Sequence, residues 1–317
     1  MRLVNTSNVS PAVLSQINFD LVIVASGYES RARYLAEQYA IEASSKLALQ
    51  FLEHSNDAVR MENDIFFQSN GFSFTQISGN KAQVVGEILL SFLSSDFKNE
   101  INILVDYSSM SRVWYAEIIR ILRDYSPTAD CSVNVFFSYS FSEFIEPPDE
   151  MIFNRYVGPI PGFYSISVPS RPSALIIGLG YIESRAFGLA EYFDVDPILF
   201  LGESSTRQEF FDKVVANNRR LIDAVDVKNI YYFPVNNLVY TETLLNHLCR
   251  DLISKFRVVI APCGPKPFTL LSLLTSLRLN DVDVWRISAG EHDVPVDKKA
   301  NGEVNVFRTV FTNTLSS

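Results

Sequence analysis

Asp20-Leu21-Val22-Ile23-Val24-Ala25-Ser26-Gly27-Tyr28-Glu29-Ser30-Arg31-Ala32 decides the fold, because it comes twice. Its second appearance is Ala174-Leu175-Ile176-Ile177-Gly178-Leu179-Gly180-Tyr181-Ile182-Glu183-Ser184-Arg185-Ala186. With Ile182 taken as an insertion, the two turns align, and Leu35-Ala36-Glu37 then meets Leu189-Ala190-Glu191. Each copy opens on a continuous apolar run rich in β-branched residues, as a strand buried on both faces requires, and passes through a glycine turn into helical spacing. Farther on, Glu87, Leu89, Leu90 and Leu93 return as Glu242, Leu244, Leu245 and Leu248, an offset of 155 that also carries Leu122-Arg123 onto Leu277-Arg278. Matches in register over most of each half mark an internal duplication.

Working outward, the first half reads as strands over 21–25, 47–52, 72–77, 101–105 and 133–137, with helices over 31–41, 82–93 and 112–123. The second half reads as strands over 175–177, 198–201, 230–233, 258–261 and 282–287, with helices over 186–193, 241–253 and 268–277. Strand and helix alternating at this spacing imply parallel crossovers. The expected fold class is therefore α/β: two tandem Rossmann-like units with mainly parallel sheets, related by internal duplication. Gly158-Pro159-Ile160-Pro161-Gly162 and Pro169-Ser170-Arg171-Pro172 supply the linker, which places the units at 1–160 and 161–317.

Bulk composition narrows the function. With 317 residues, 47% hydrophobic and 20% charged, the chain is a folded rather than a disordered protein. Its net charge of −9 argues against long duplex nucleic acid, whose binding runs on clustered Lys and Arg. Cys131, Cys249 and Cys263 form no CxxC, and His54, His247 and His292 share no ligand spacing with them or with one another. No metal and no cofactor is expected. The first residues lack an apolar stretch of signal-peptide length, and no run approaches the ~18 apolar residues of a membrane span. Cytoplasmic location without membrane contact follows as the expectation.

Open parallel sheets bind ligands beyond the carboxyl ends of their strands. Four polar motifs fall there. Gly27, Tyr28, Glu29 and Arg31 follow the first strand of one unit, and Gly180, Tyr181, Glu183 and Arg185 that of the other. Asp106-Tyr107-Ser108-Ser109-Met110-Ser111-Arg112 and Pro262-Cys263-Gly264-Pro265-Lys266-Pro267 follow the fourth strands. Each joins a small residue, which exposes backbone N–H groups, to a cation near a helix start, a combination suited to phosphate. Turn chemistry alone also accounts for the glycines, and a Glu two residues before an Arg suits an ion pair that fixes the loop. In Gly178-Leu179-Gly180-Tyr181-Ile182-Glu183, a Glu stands where the dinucleotide fingerprint needs its third Gly, and Gly264-Pro265-Lys266 lacks the rest of a Walker A loop.

A strand ending in Asp106, followed by Ser108, Ser109 and Ser111 and then Arg112 opening a helix, resembles the ligand-contacting loop of CARF domains. Two such units in one chain are similar to the SAVED arrangement. The resemblance implies a sensor of cyclic or linear oligonucleotide second messengers in bacterial anti-phage defence, acting on a separate effector protein. Where that family carries Asp-x-Thr-Gly-Gly-Thr-Lys, this chain has Asp106 to Arg112 as quoted, and the second unit has Gly264 and Lys266 without the Asp.

The leading expectation is a binding protein for a small phosphate-bearing ligand, a nucleotide or cyclic oligonucleotide, in one asymmetric composite site between the units. Arg31, Arg112, Arg185 and Lys266 would supply charge, and Ser108, Ser109 and Gly264 close contacts. A hydrolase or transferase using Asp106 or Glu183 as acid or base is the second reading. A protein-interaction subunit, presenting the apolar helical stretches 88–93 and 270–277, is the third.

Overall fold

A computed structural model of the chain describes residues 1–95, 98–146, 156–166, 170–182, 185–204, 208–288 and 296–314. In chain order the first part contains β1 (Arg2–Val9), β2 (Asn18–Ser26), α1 (Tyr34–Gln38), β3 (Glu42–Phe51), α2 (Ala58–Ser69), β4 (Ser73–Ile77), α3 (Gln83–Ser95), β5 (Glu100–Asp106), α4 (Arg112–Asp124) and β6 (Ser132–Ser142). Then come β7 (Tyr156–Pro159), β8 (Ser173–Gly178), α5 (Arg185–Phe193), β9 (Ile198–Glu203), α6 (Gln208–Ala224), β10 (Ile230–Pro234), α7 (Leu238–Ile253), β11 (Arg257–Pro262), α8 (Lys266–Arg278), β12 (Val282–Ser288) and β13 (Ala300–Thr312).

The chain divides into two compact units. Unit 1 is Met1–Glu143 together with Val294–Ser317, and unit 2 is Phe144–Asp293. Unit 1 holds a seven-stranded sheet in the order β1-β13-β6-β5-β2-β3-β4, and unit 2 a six-stranded sheet in the order β10-β9-β8-β11-β12-β7. Within them β6-β5-β2-β3-β4 and β12-β11-β8-β9-β10 are one strand order written twice, and each neighbouring pair in both runs is parallel. The fold is α/β, with two mostly parallel Rossmann-like sheets, and the duplication read from the turns extends to topology.

The boundary expected at 160/161 is corrected by strand pairing. Gly158 and Pro159, read as the start of the linker, are the end of a strand, Tyr156–Pro159, paired antiparallel with β12. The last strand, β13, pairs antiparallel with both β6 and β1, so the chain's end belongs to unit 1. Its Phe307 and Phe311 are fully buried and Val306 nearly so, and leaving the sheet would return their apolar surface to water. The helix expected over 31–41 is also shorter: a 3-10 turn over Ser30–Ala32 precedes α1, which has five residues.

Alternation along the strands sends Val22, Val24, Leu104 and Phe136 to one face of unit 1, where Leu35 of α1 and Phe67 of α2 cover them. In unit 2, Leu175, Ile177, Leu199 and Val259 meet Leu189 of α5 and Leu221 of α6 in the same way. On the other face of unit 2, α8 is buried from Pro267 to Thr275, with Phe268 against Phe200 and Phe233. That burial removes most of 270–277 as a partner surface. In 88–93, Leu89 and Leu93 are core and Leu90 is exposed.

Candidate functional site

In both units the strand order reverses between the first and fourth parallel strands, β2/β5 and β8/β11, which is where such sheets open a crevice at their carboxyl ends. The four sequence motifs lie on the loops leaving these strands.

In unit 1 the crevice is filled by the protein's own charges. Arg31 is 3% exposed; its Nε donates to Glu29 Oε2 at 2.9 Å, and one Nη donates to Tyr139 Oη at 3.1 Å and to the Ser140 carbonyl at 3.2 Å. Glu29 also accepts Lys298 Nζ at 2.8 Å and Ser109 Oγ at 3.1 Å. The segment leading into β13 closes over the same turn: Ser30 N–H donates to Asp297 Oδ1 at 2.7 Å, and Arg31 N–H to the Lys298 carbonyl at 3.1 Å. Burial works against the Arg31 charge, but Glu29 and then Tyr139 outweigh it and hold the guanidinium pKa above its ordinary value. The ion-pair reading of Glu29 and Arg31 therefore describes unit 1, and a phosphate approaching Arg31 would meet the Glu29 carboxylate first.

The fourth-strand loop of unit 1 is knitted inward as well. Asp106, 2% exposed, accepts the Ser108 N–H at 3.0 Å and the Ser108 hydroxyl, while Ser108 Oγ accepts Ser140 N–H at 2.8 Å. Ser111 Oγ donates to the Gly79 carbonyl at 2.6 Å, and Arg112, half-buried, opens α4. Tyr107 is fully buried, and burial, then Tyr115, Tyr139 and Asp106, push its phenol pKa well up. Tyr28 lies apart, edge-on to His54 with ring centroids 5.3 Å apart. Structure thus gathers Glu29, Arg31 and Ser109 into one cluster and Asp106 with Ser108 into another, and directs Ser111 and Tyr28 elsewhere.

Unit 2 uses the same positions differently. An ideal Cβ on Gly180 would lie 2.1 Å from the Cys263 carbonyl oxygen, and one on Gly264 would lie 2.3 Å from that of Leu179. The two loops therefore touch backbone to backbone, and the Cys263 N–H donates to the Gly178 carbonyl at 2.8 Å. On these loops and at the helix starts that follow, Tyr181, Arg185, Cys263, Gly264 and Lys266 are half-buried, as Arg112 is in unit 1. Arg185 is the first residue of α5 and Lys266 the first of α8. Glu183, Ser184 and His292 lie outside the described residues. Of the other thiols, Cys249 is buried and its pKa is pushed up to about 12 by burial.

Sequence reasoning missed the asparagines that hold both first-strand loops. Asn63 Nδ2, from α2, donates to the Gly27 carbonyl at 2.8 Å and the Glu29 carbonyl at 3.0 Å. Asn218 Nδ2, from α6, donates to the Gly180 carbonyl at 2.8 Å, and Asn217 Nδ2 to that of Tyr181 at 2.6 Å. Asn63 and Asn218 stand 155 apart, the offset of the other repeats, so the signal was present in the sequence. Lys298 and Asp297 carried no such signal, having no repeat counterpart to draw attention to them. Replacing Asn63 by Ala takes the side-chain donor from the buried Gly27 carbonyl, and Asn218 by Ala that from the buried Gly180 carbonyl; each is expected to cost roughly 1–3 kcal/mol, read by urea denaturation. Unchanged stability in both variants would contradict the tether.

Among the described residues, no group of three or more His, Cys, Asp or Glu is placed to hold a metal ion, and no helix is long and apolar enough to cross a membrane. No family model matches the chain, and no curated protein matches it. Among solved structures it is similar to the crystal structure of the cytoplasmic domain of a prokaryotic cation chloride cotransporter. The match has 11% identity, covers 88% of this chain and 98% of that one, and has a TM-score of 0.24, a likeness too slight to carry an argument.

Proposed function

We propose that this chain is a sensor that binds a nucleotide or oligonucleotide second messenger, and that the strand-end crevice of unit 2 is where the phosphates sit. The observation that carries the reading is the glycine contact between the β8 and β11 loops, with half-buried Arg185 and Lys266 at the first residues of α5 and α8. Gly180 and Gly264 let the two loops meet backbone to backbone, which fixes the starts of α5 and α8 on these strand ends, and a cation at each helix start favours an anion there. In unit 1 the equivalent first-strand turn is held by an ion cluster in which Glu29 takes both Arg31 and Lys298. The doubled Rossmann-like unit, similar to the SAVED arrangement, supports an oligonucleotide messenger, a role in anti-phage defence and a separate effector protein.

Calorimetry against nucleoside mono-, di- and triphosphates and cyclic di-, tri- and tetranucleotides tests the reading. One member of the panel is expected to bind, and Arg185→Ala and Lys266→Ala are each expected to weaken it by roughly tenfold, about 1.4 kcal/mol. Absence of binding across the panel, or affinity unmoved by both substitutions, would overturn it.

A further inference from the structure

Three aromatic rings of unit 2 meet where the chain leaves β8. Tyr181, the residue after Gly180, has its ring centroid 6.3 Å from that of Phe210, and Phe210 meets Phe144 edge-on at 5.1 Å. All three are half-buried, whereas Phe211, Val214 and Leu221 of the same helix pack into the core. Phe210 and Asn217 are seven residues apart and so share one face of α6. The asparagine holds the Tyr181 carbonyl at 2.6 Å, and the phenylalanine braces the Tyr181 ring.

The internal repeat marks this group as an addition of unit 2. At the offset of 155, Ser69 at the end of α2 falls on Ala224 at the end of α6, while Ala58 at the start of α2 falls on Lys213. Helix α6 therefore begins five residues earlier, at Gln208, and the extra turn carries Phe210. The counterpart of Phe210 is Ser55, and that of Asn217 is Glu62. Unit 1 instead has a stack of its own, Phe51 on Trp114 with centroids 4.2 Å apart, and Gly27 lies against the Phe51 ring. At the same offset Trp114 becomes Thr269, which has no ring.

The geometry points to Tyr181, braced by Phe210, as a stacking platform for a nucleobase, so that the unit 2 ligand is recognised through a base as well as through phosphate. The two rings are tilted by 47°, so Phe210 supports Tyr181 without the near-parallel overlap of Phe51 and Trp114. A ring whose own backbone is tethered gives up little freedom when a base stacks on it. Such stacking serves any base, because every base has a π face. The assignment rests on the reading of the unit 2 crevice for the phosphate, and on these rings alone for the base.

The probes are 2-aminopurine riboside, its 5′-monophosphate and ribose 5-phosphate, titrated against the full chain by fluorescence and calorimetry. Stacking on an aromatic side chain quenches 2-aminopurine, so both fluorescent probes are expected to be quenched, with the monophosphate bound more tightly. Tyr181→Leu keeps apolar bulk but no π face. It is expected to abolish the quenching and weaken the monophosphate by roughly tenfold, leaving ribose 5-phosphate unmoved, while Tyr181→Phe behaves like the parent. Ribose 5-phosphate bound through Lys266 with neither base probe quenched would overturn the platform and leave the anion reading standing. Quenching that is lost in Tyr181→Leu but indifferent to Arg185→Ala and Lys266→Ala would establish the platform and refute the anion reading. No quenching of either probe, or quenching that persists in Tyr181→Leu, overturns the platform.

Discussion

Replacing Glu29 by Gln is expected to destabilise unit 1 by about 3–5 kcal/mol, the range for removing one partner of a buried ion pair. The substitution is nearly isosteric, so the effect isolates charge. Arg31 is 3% exposed and would keep only neutral acceptors, the new amide oxygen, Tyr139 Oη and the Ser140 carbonyl, none of which neutralises a guanidinium. Lys298, about one-third exposed, would lose less because water reaches it. Lys298→Ala should therefore cost well under half as much, and the ordering of the two variants is the sharper test. For a unit of this size the Glu29→Gln loss corresponds to a fall on the order of 10 °C in its melting transition, against a net stability of about 5–15 kcal/mol for an ordinary domain. A Glu29→Gln protein melting like the parent would show that the cluster contributes nothing to the fold.

The second large effect is expected at Gly180. Alanine there would set Cβ 2.1 Å from the Cys263 carbonyl oxygen and 2.8 Å from its carbonyl carbon, and these are backbone atoms that no rotamer change can move aside. Either the β8 or the β11 loop must shift, at a cost of about 3 kcal/mol or more at the upper end of overpacking penalties. The same shift would disturb Arg185 and Lys266, so any ligand held there should be lost with it. Two substitutions calibrate the result. Gly27→Ala, the unit 1 counterpart, meets only the Phe51 ring at 3.2 Å and should be milder. Gly188→Ala, exposed on α5 with no atom within 4 Å, should stabilise by roughly 0.5–1 kcal/mol. Denaturation midpoints for the three variants that fail to separate in this order would refute the close-approach account.

Asn63 shows how much of the site could have been read without coordinates. Its repeat at Asn218 was visible at the offset of the other matches, but among polar neighbours, in stretches not read as helices, neither asparagine shows that it reaches back to the preceding turn. Glu29 and Arg31 were legible because they sit two residues apart and local geometry pairs them. Ser109 was legible as a loop residue, though its acceptor, Glu29, lies 80 residues away.

By itself the sequence determined most of the alternation of strand and helix, though not α2 or α6, with the doubling of the unit and the positions of the four loops, because apolar periodicity and turn residues act over a few neighbours. Tertiary structure alone decided that β13 returns to the first sheet, and that Lys298 reaches Glu29 across 269 positions. It also decided that equivalent turns become an ion cluster in one unit and a backbone contact in the other. Those outcomes rest on partners distant in the chain, whose pairing is set by which surfaces can be buried together rather than by any local pattern.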